Sequence, residues 1–150
     1  VPWVRDTVAR LADLQLATDS PTQVADLLDR AARLRLPPRA PVLCHGDLHL
    51  RHVLALADGR AGGVIDWGDV CLADPAIDLS FAYAALAGPA RKSLLTAYQR
   101  AGGTPLDAGQ ETLARLLALG LSAMLALTGH ETDDPGLREE ALAGMTRALG

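Results

Sequence analysis

Apolar residues recur along this chain mostly at helical spacing. Val4, Val8, Leu11 and Ala12 share one face while Arg5, Asp6 and Arg10 occupy others, which predicts an amphipathic helix that starts at or before residue 1. Ser20-Pro21-Thr22-Gln23 signals a second start: serine caps, proline suits the first helical position and glutamine can reach back. Val24, Leu27, Leu28, Ala31 and Leu34 then line a face to about Leu36, and the prolines of Pro37–Pro41 form a stiff connector. Val42–Cys44 reads as a short buried strand. Val53–Leu56 and Gly63–Ile65 flank Asp58-Gly59, a hairpin-turn signal. Four more helices are predicted: one from Asp74-Pro75 through Ala84, one from Pro89 to about Arg100 closed by Gly102-Gly103, one over Asp107–Thr128, and one over Pro135–Leu149 capped by Asp134. The expected fold class is mainly α with one small β-hairpin.

Composition narrows the class. The 150 residues suit one domain, and 49% hydrophobic with 21% charged residues indicates a globular chain. With aromatics at 3%, the core must be aliphatic. The formal charge of −4 argues against a nucleic-acid partner, which rewards basic surfaces. Cys44 and Cys71 are too few for a disulfide framework and lack metal-ligand spacing, so two free thiols and a cytoplasmic location are expected. The most apolar run, Leu116–Thr128, reaches only about 20 Å as a helix against roughly 30 Å of bilayer hydrocarbon. It is read as a buried core helix, the N-terminus shows no signal-peptide pattern, and no membrane partner is expected.

The chemistry concentrates between Val42 and Leu79, which hold three histidines and six aspartates. His45-Gly46-Asp47 opens a loop, His52 lies five residues after Asp47, Asp66 ends the second hairpin strand, and Asp74 and Asp78 fall at a helix start and one turn in. Phosphoryl transfer from a nucleotide needs a carboxylate to accept the proton of the attacking hydroxyl, and oxygen ligands for a divalent cation on the phosphates. Protein kinases place the first on an H-R-D-x-x-x-x-N loop and the second on D-F-G at a hairpin end. His45-x-Asp47, His52 and Ile65-Asp66-Trp67 follow that order. Two carboxylates brought together by a hairpin repel without a cation, so a metal site between them is expected.

The motifs HGDLHLRHVL and GVIDWGDVCLADPAIDL resemble the aminoglycoside and macrolide phosphotransferase family, small-molecule kinases with a protein-kinase-like fold. The resemblance is sharp over residues 42–80. It implies that Asp47 is the base orienting the acceptor hydroxyl, that His45 braces its loop, and that Asp66 is the principal Mg2+ ligand. It also implies that Asp78 anchors the loop through backbone N–H groups, with ATP or GTP as donor and a small-molecule acceptor. Asp74 is read as a helix cap, His49 as support for the loop, and Arg51 as a contact to phosphate or substrate. Glu131 and Asp133 are candidates for an acidic rim around a cationic acceptor, and Trp67 is expected to pack beneath the loop. His52 departs from the asparagine usual in the family. As a cofactor and metal ligand it offers nitrogen where Mg2+ prefers oxygen, and it tilts the acceptor toward the macrolide-modifying branch.

The resemblance further implies an N-terminal lobe with a phosphate-covering loop and a strand lysine. Neither is visible: Lys92 is the one lysine and follows the motifs on a helix. The chain is therefore expected to be the C-terminal lobe of a longer kinase, inactive alone, with an apolar face toward the missing lobe that invites self-association. Two other classes compete. A metal-dependent hydrolase would use His45, Asp47, His49 and His52 as ligands; a non-catalytic kinase-like binding module would explain His52 as lost activity.

Overall fold

The computed structural model describes residues 2–16 and 20–150. Six helices carry most of the chain: α1 (Pro2–Asp13), α2 (Pro21–Ala32), α3 (Ala76–Ala85), α4 (Gly88–Arg100), α5 (Ala108–Glu131) and α6 (Pro135–Leu149). Four short strands lie between α2 and α3: β1 (Val42–Cys44), β2 (Val53–Ala55), β3 (Ala61–Val64) and β4 (Cys71–Ala73).

Helix α5 is the axis, with α1, α2, α3 and α6 packed around it. Its start follows from sequence: Asp107 accepts from the Gln110 N–H at 2.9 Å while the Gln110 side chain accepts from the Asp107 N–H at 3.2 Å, closing both ends of a capping box. Ala114, Ala118, Leu119, Ala123 and Ala126 are fully buried along it. Small residues let the helices approach closely, which is how a core nearly free of aromatics is filled. Gly120 marks the tightest crossing with α1, where a Cβ would lie 2.4 Å from the Trp3 ring. By length and composition α5 is the one helix among the described residues able to cross a membrane, yet 56% of its most apolar stretch is buried inside the molecule.

Two differences from the sequence reading bear on the site. Helix α2 ends at Ala32 rather than near Leu36: the Arg33 and Leu34 N–H groups turn back onto the Arg30 and Ala31 carbonyls and close the last turn. The β structure is two antiparallel pairs rather than one hairpin. β2–β3 is the expected hairpin, with Val53 opposite Val64 and a bulge at Leu54/Ala55. β1 pairs with β4, matching Val42 to Ala73, Leu43 to Leu72 and Cys44 to Cys71. Only Cys44 of β1 is buried; Leu43 and its partner Leu72 are each 70% exposed. Both loops bearing the acidic cluster leave these strand ends.

Candidate active site

Strand β1 delivers His45-Gly46-Asp47 directly into a loop whose first turn is held from beneath by α3. The Asp78 carboxylate, in the first turn of α3, accepts the His45 N–H at 2.7 Å and the Gly46 N–H at 3.1 Å. Asp74 organises the start of that helix: it accepts the Ala76 N–H at 2.8 Å, and the Gln110 Nε2 donates to its two oxygens at 3.3 and 3.1 Å. Gln110 is 1% exposed, so this polar bridge between α5 and α3 lies inside the molecule.

His45 ties the two loops together. Its ring, 2% exposed, accepts the Asp47 N–H at Nδ1 (3.3 Å) and donates from Nε2 to the Ile65 carbonyl at 2.9 Å. Both nitrogens are committed, so the ring braces Asp47 on one side and the residue before Asp66 on the other. Gly46 completes the junction. Its φ is +91°, and a Cβ there would lie 2.1 Å from the Asp69 carbonyl oxygen. Only glycine permits both that backbone and that contact.

The remaining histidines sort by their partners. His52 donates from Nδ1 to the Asp47 carbonyl at 2.8 Å, which leaves a lone pair on Nε2 facing Asp66 Oδ2 at 3.4 Å. His49 accepts the Arg51 N–H at Nδ1 (3.3 Å), so its Nε2 carries the proton and faces Asp47 Oδ2 at 3.6 Å. The His49 and His52 rings stack at 3.7 Å between centroids. Burial, and then the neighbouring His52, hold the His49 pKa below its ordinary 6.5, which favours the neutral ring beside the Asp47 carboxylate.

Asp66 stands at φ 63° and ψ 60°, left-handed backbone that costs a non-glycine residue about 1–2 kcal/mol. Its side chain is 65% exposed. Strain of this kind persists where surrounding structure imposes it, here the Ile65–His45 bond before it and the 3-10 turn Trp67–Asp69 after it.

Two groupings among the described residues offer ligand atoms to a divalent cation. His52 Nε2 and Asp66 Oδ2 are two acceptors converging with no donor between them, a geometry completed by a proton or a metal ion. Asp47, His49 and His52 also bring one ligand atom each within 4.8 Å of one another. That trio is the poorer cage, because an ion at His49 Nε2 would have to displace the proton that the Arg51 contact places there. His45 has no nitrogen left to offer. The hydrolase reading therefore loses two of its four ligands.

Other expected site residues lie differently. Arg51 is exposed beside the cluster in the 3-10 turn Leu50–His52. Glu131 and Asp133 sit at the far end of α5, about 30 Å along its axis from Gln110, and Glu131 pairs with Arg10 at 2.6 Å. The structure does not bring them to the cluster. Trp67, expected beneath the loop, is 55% exposed; its Nε1 donates to the Val64 carbonyl at 3.0 Å and its ring lies 4.8 Å from that of His45. It covers His45 from the solvent side, because the left-handed turn at Asp66 points the next residue outward.

Residues 2–119 match the family model described as the phosphotransferase enzyme family. The chain belongs to that family. Its curated relatives include a Bacillus subtilis (strain 168) protein, YcbJ, described as uncharacterized, 36% identical over 102 residues that make up 67% of this chain and 33% of YcbJ. Among solved structures, a macrolide 2'-phosphotransferase type I superposes with a TM-score of 0.53 at 26% identity, covering 95% of this chain and 46% of that one. Two more share the fold: the macrolide 2'-phosphotransferase MphH from Brachybacterium faecium (24% identity, TM-score 0.53) and the GDP and kanamycin complex of APH(2")-IIia (20%, 0.54). They are covered over 47% and 50% of their lengths by 94% and 97% of this chain. The chain thus spans a third of the curated relative and about half of each solved structure.

Within a member of the phosphotransferase enzyme family, three parts of the junction escaped the sequence reading. The Ile65 carbonyl is main chain and leaves no residue-type signal. Gln110 is legible as the fourth residue of the Asp107 capping box, but its second role on Asp74 is a tertiary contact. The seating of Gly46 on Asp69 depends on the β1–β4 pairing, whose strands are three residues each.

Proposed function

We propose that this chain is the catalytic, C-terminal lobe of a small-molecule O-phosphotransferase that moves the γ-phosphoryl of a purine nucleotide to an acceptor hydroxyl. The observation that carries the reading is that Asp47 and Asp66 lie at opposite edges of one imidazole. The His52 Nδ1 is 3.9 Å from Asp47 Oδ2 and its Nε2 is 3.4 Å from Asp66 Oδ2.

Asp47 Oδ2 receives the acceptor hydroxyl proton as the new O–P bond forms and the bond from the γ-phosphorus to the β–γ bridging oxygen breaks, releasing the nucleoside diphosphate. The loop is fixed before substrate arrives, because Asp78, His45 and His52 each hold it through main-chain groups, and the His49 ring lies beside the carboxylate without neutralising it. Catalysis in such a site is mostly positioning and charge compensation. A divalent cation held by Asp66 and His52 would neutralise phosphate charge. The chain's span of about half the solved relatives' length supports a further lobe that covers the donor. Leu43, Leu72, Val70 and Ile65, exposed on β1, β4 and their flanks, offer an apolar face for that lobe, or for self-association when it is absent. The family's antibiotic acceptors make macrolides and aminoglycosides the first compounds to try, with hydroxylated metabolites beside them.

The test is an acceptor panel against the full-length protein, with ATP or GTP and Mg2+, read by nucleotide consumption and product mass. One or more acceptors should gain a phosphoryl group, and Asp47→Ala should abolish the gain while leaving nucleotide affinity within about twofold. Transfer at the wild-type rate by Asp47→Ala would remove Asp47 as the base. Tightly held zinc in stoichiometric amount would favour the hydrolase reading instead.

A further inference from the structure

Cys44 and Cys71, both free thiols, are direct partners in the β1–β4 ladder. Cys44 immediately precedes His45, and Cys71 begins β4 just after the turn Trp67–Asp69. The pair therefore stands where both site-bearing loops leave the sheet.

Opposed residues of antiparallel strands have Cα atoms about 4.5 or 5.5 Å apart, and both values fall within the roughly 4.4–6.8 Å that disulfides span. The Cys44 sulfur makes only long contacts, 3.9 Å to the Ala73 carbonyl and 3.7 Å to the Asp74 carbonyl. It borders a cavity of about 190 Å³ lined also by Leu48, Phe81 and Tyr98, so the sulfur is not tightly packed on that side. We propose that Cys44 and Cys71 are a redox modification site that closes reversibly into a disulfide across β1–β4 and disables the catalytic loop.

The two thiols have different parts. Cys71 is exposed and meets the oxidant, a low-molecular-weight disulfide such as oxidised glutathione. Its thiolate attacks one sulfur of that molecule and expels one small thiolate. Cys44 then gives its proton to water, and its sulfur attacks the Cys71 sulfur and expels the second. Two protein thiols are oxidised and one small disulfide is reduced to two thiols. Burial pushes the Cys44 thiol up to about 11, so the closing step is the slow one.

Closure acts on the loop because the junction has no slack. Opposed Cβ atoms lie about 4.5–5.5 Å apart in a ladder, whereas a disulfide holds them near 3.8 Å. Drawing these strand ends together presses Gly46 onto the Asp69 carbonyl, where not even a methyl group fits, and shifts His45 against Ile65. A bond under such strain is readily reduced, as a reversible modification requires.

The test equilibrates full-length protein with oxidised glutathione and maps its peptides, with Cys71→Ser as control. A Cys44–Cys71 cross-link should form, vanish with dithiothreitol, and be absent from Cys71→Ser. The His45 and His52 ring resonances should shift on oxidation and return on reduction. Phosphoryl transfer, if the proposed function holds, should fall on the order of a hundredfold and recover. Persistent alkylation of both thiols, or glutathione retained on Cys71 without closure, would overturn the site. A cross-link that moves neither ring signal would overturn its action on the loop. A reduced protein without transferase activity would refute the proposed function, while the peptide map and ring signals still decide this one.

Discussion

Replacing Asp78 by asparagine should release the His45–Asp47 loop. The carboxylate uses one oxygen on the His45 N–H and the other on the Gly46 N–H. An amide of the same shape offers one acceptor and turns an N–H2 toward the second donor. A half-buried donor left without a partner costs about 1–3 kcal/mol, and the surviving bond loses its charge assistance, worth about 1 kcal/mol more. Asp78 is partly accessible, which puts the total at about 2–3 kcal/mol. Since about 1.4 kcal/mol is a factor of ten, exchange of the His45 and Gly46 amides with deuterium should accelerate roughly 30- to 150-fold in Asp78→Asn. The readout is local, so it holds whether or not the rest of the protein unfolds with the loop. Amides along α5 should exchange at their wild-type rate. Less than about a threefold change at those two positions would refute the reasoning that α3 holds the loop through this carboxylate.

Gly46→Ala combines left-handed backbone with a Cβ placed 2.1 Å from a carbonyl oxygen that cannot swing aside; a cost of about 3 kcal/mol should lower Tm by roughly 6–12 °C, and an unchanged Tm would show that the Asp47 and Asp66 loops are not in contact there. His49 has a folded pKa below its ordinary 6.5, so the unfolded chain binds more protons as pH falls; its contribution to stability is full above that value and is lost as pH drops through it toward the folded pKa. Urea midpoints at about pH 7.5 and 5.5 should therefore differ more in the wild type than in His49→Gln, and equal differences would place His49 in solvent.

Most of the helical fold is legible in the sequence because most of the helices are marked locally. Pro21 and Pro135 at first positions, the Asp107–Gln110 box, and Asp134, which accepts the Leu137 N–H at 2.9 Å, each act within one turn. The hairpin is legible for the same reason, since Asp58 accepts the Arg60 N–H at 3.1 Å within its own turn. The β1–β4 pairing is not: strands of three residues carry no periodicity, and their partners lie some thirty residues apart in the chain. The site divides along the same line. His45, Asp47, His52 and Asp66 stand out by spacing, whereas the tautomers that separate a metal-facing His52 from a carboxylate-facing His49 depend on which backbone groups their rings reach. Glu131 and Asp133 look available in sequence, but the rigid length of α5 carries them away from the cluster.

The account rests on His52 and Asp66 sharing one divalent cation beside Asp47. Pulsed electron paramagnetic resonance of Mn2+ bound with nucleotide to the full-length protein tests this directly. The account predicts hyperfine coupling to one imidazole nitrogen, lost in His52→Asn while Mn2+ stays bound, because an amide oxygen replaces the ring. No nitrogen coupling in the wild type, or coupling that survives in His52→Asn, would contradict it.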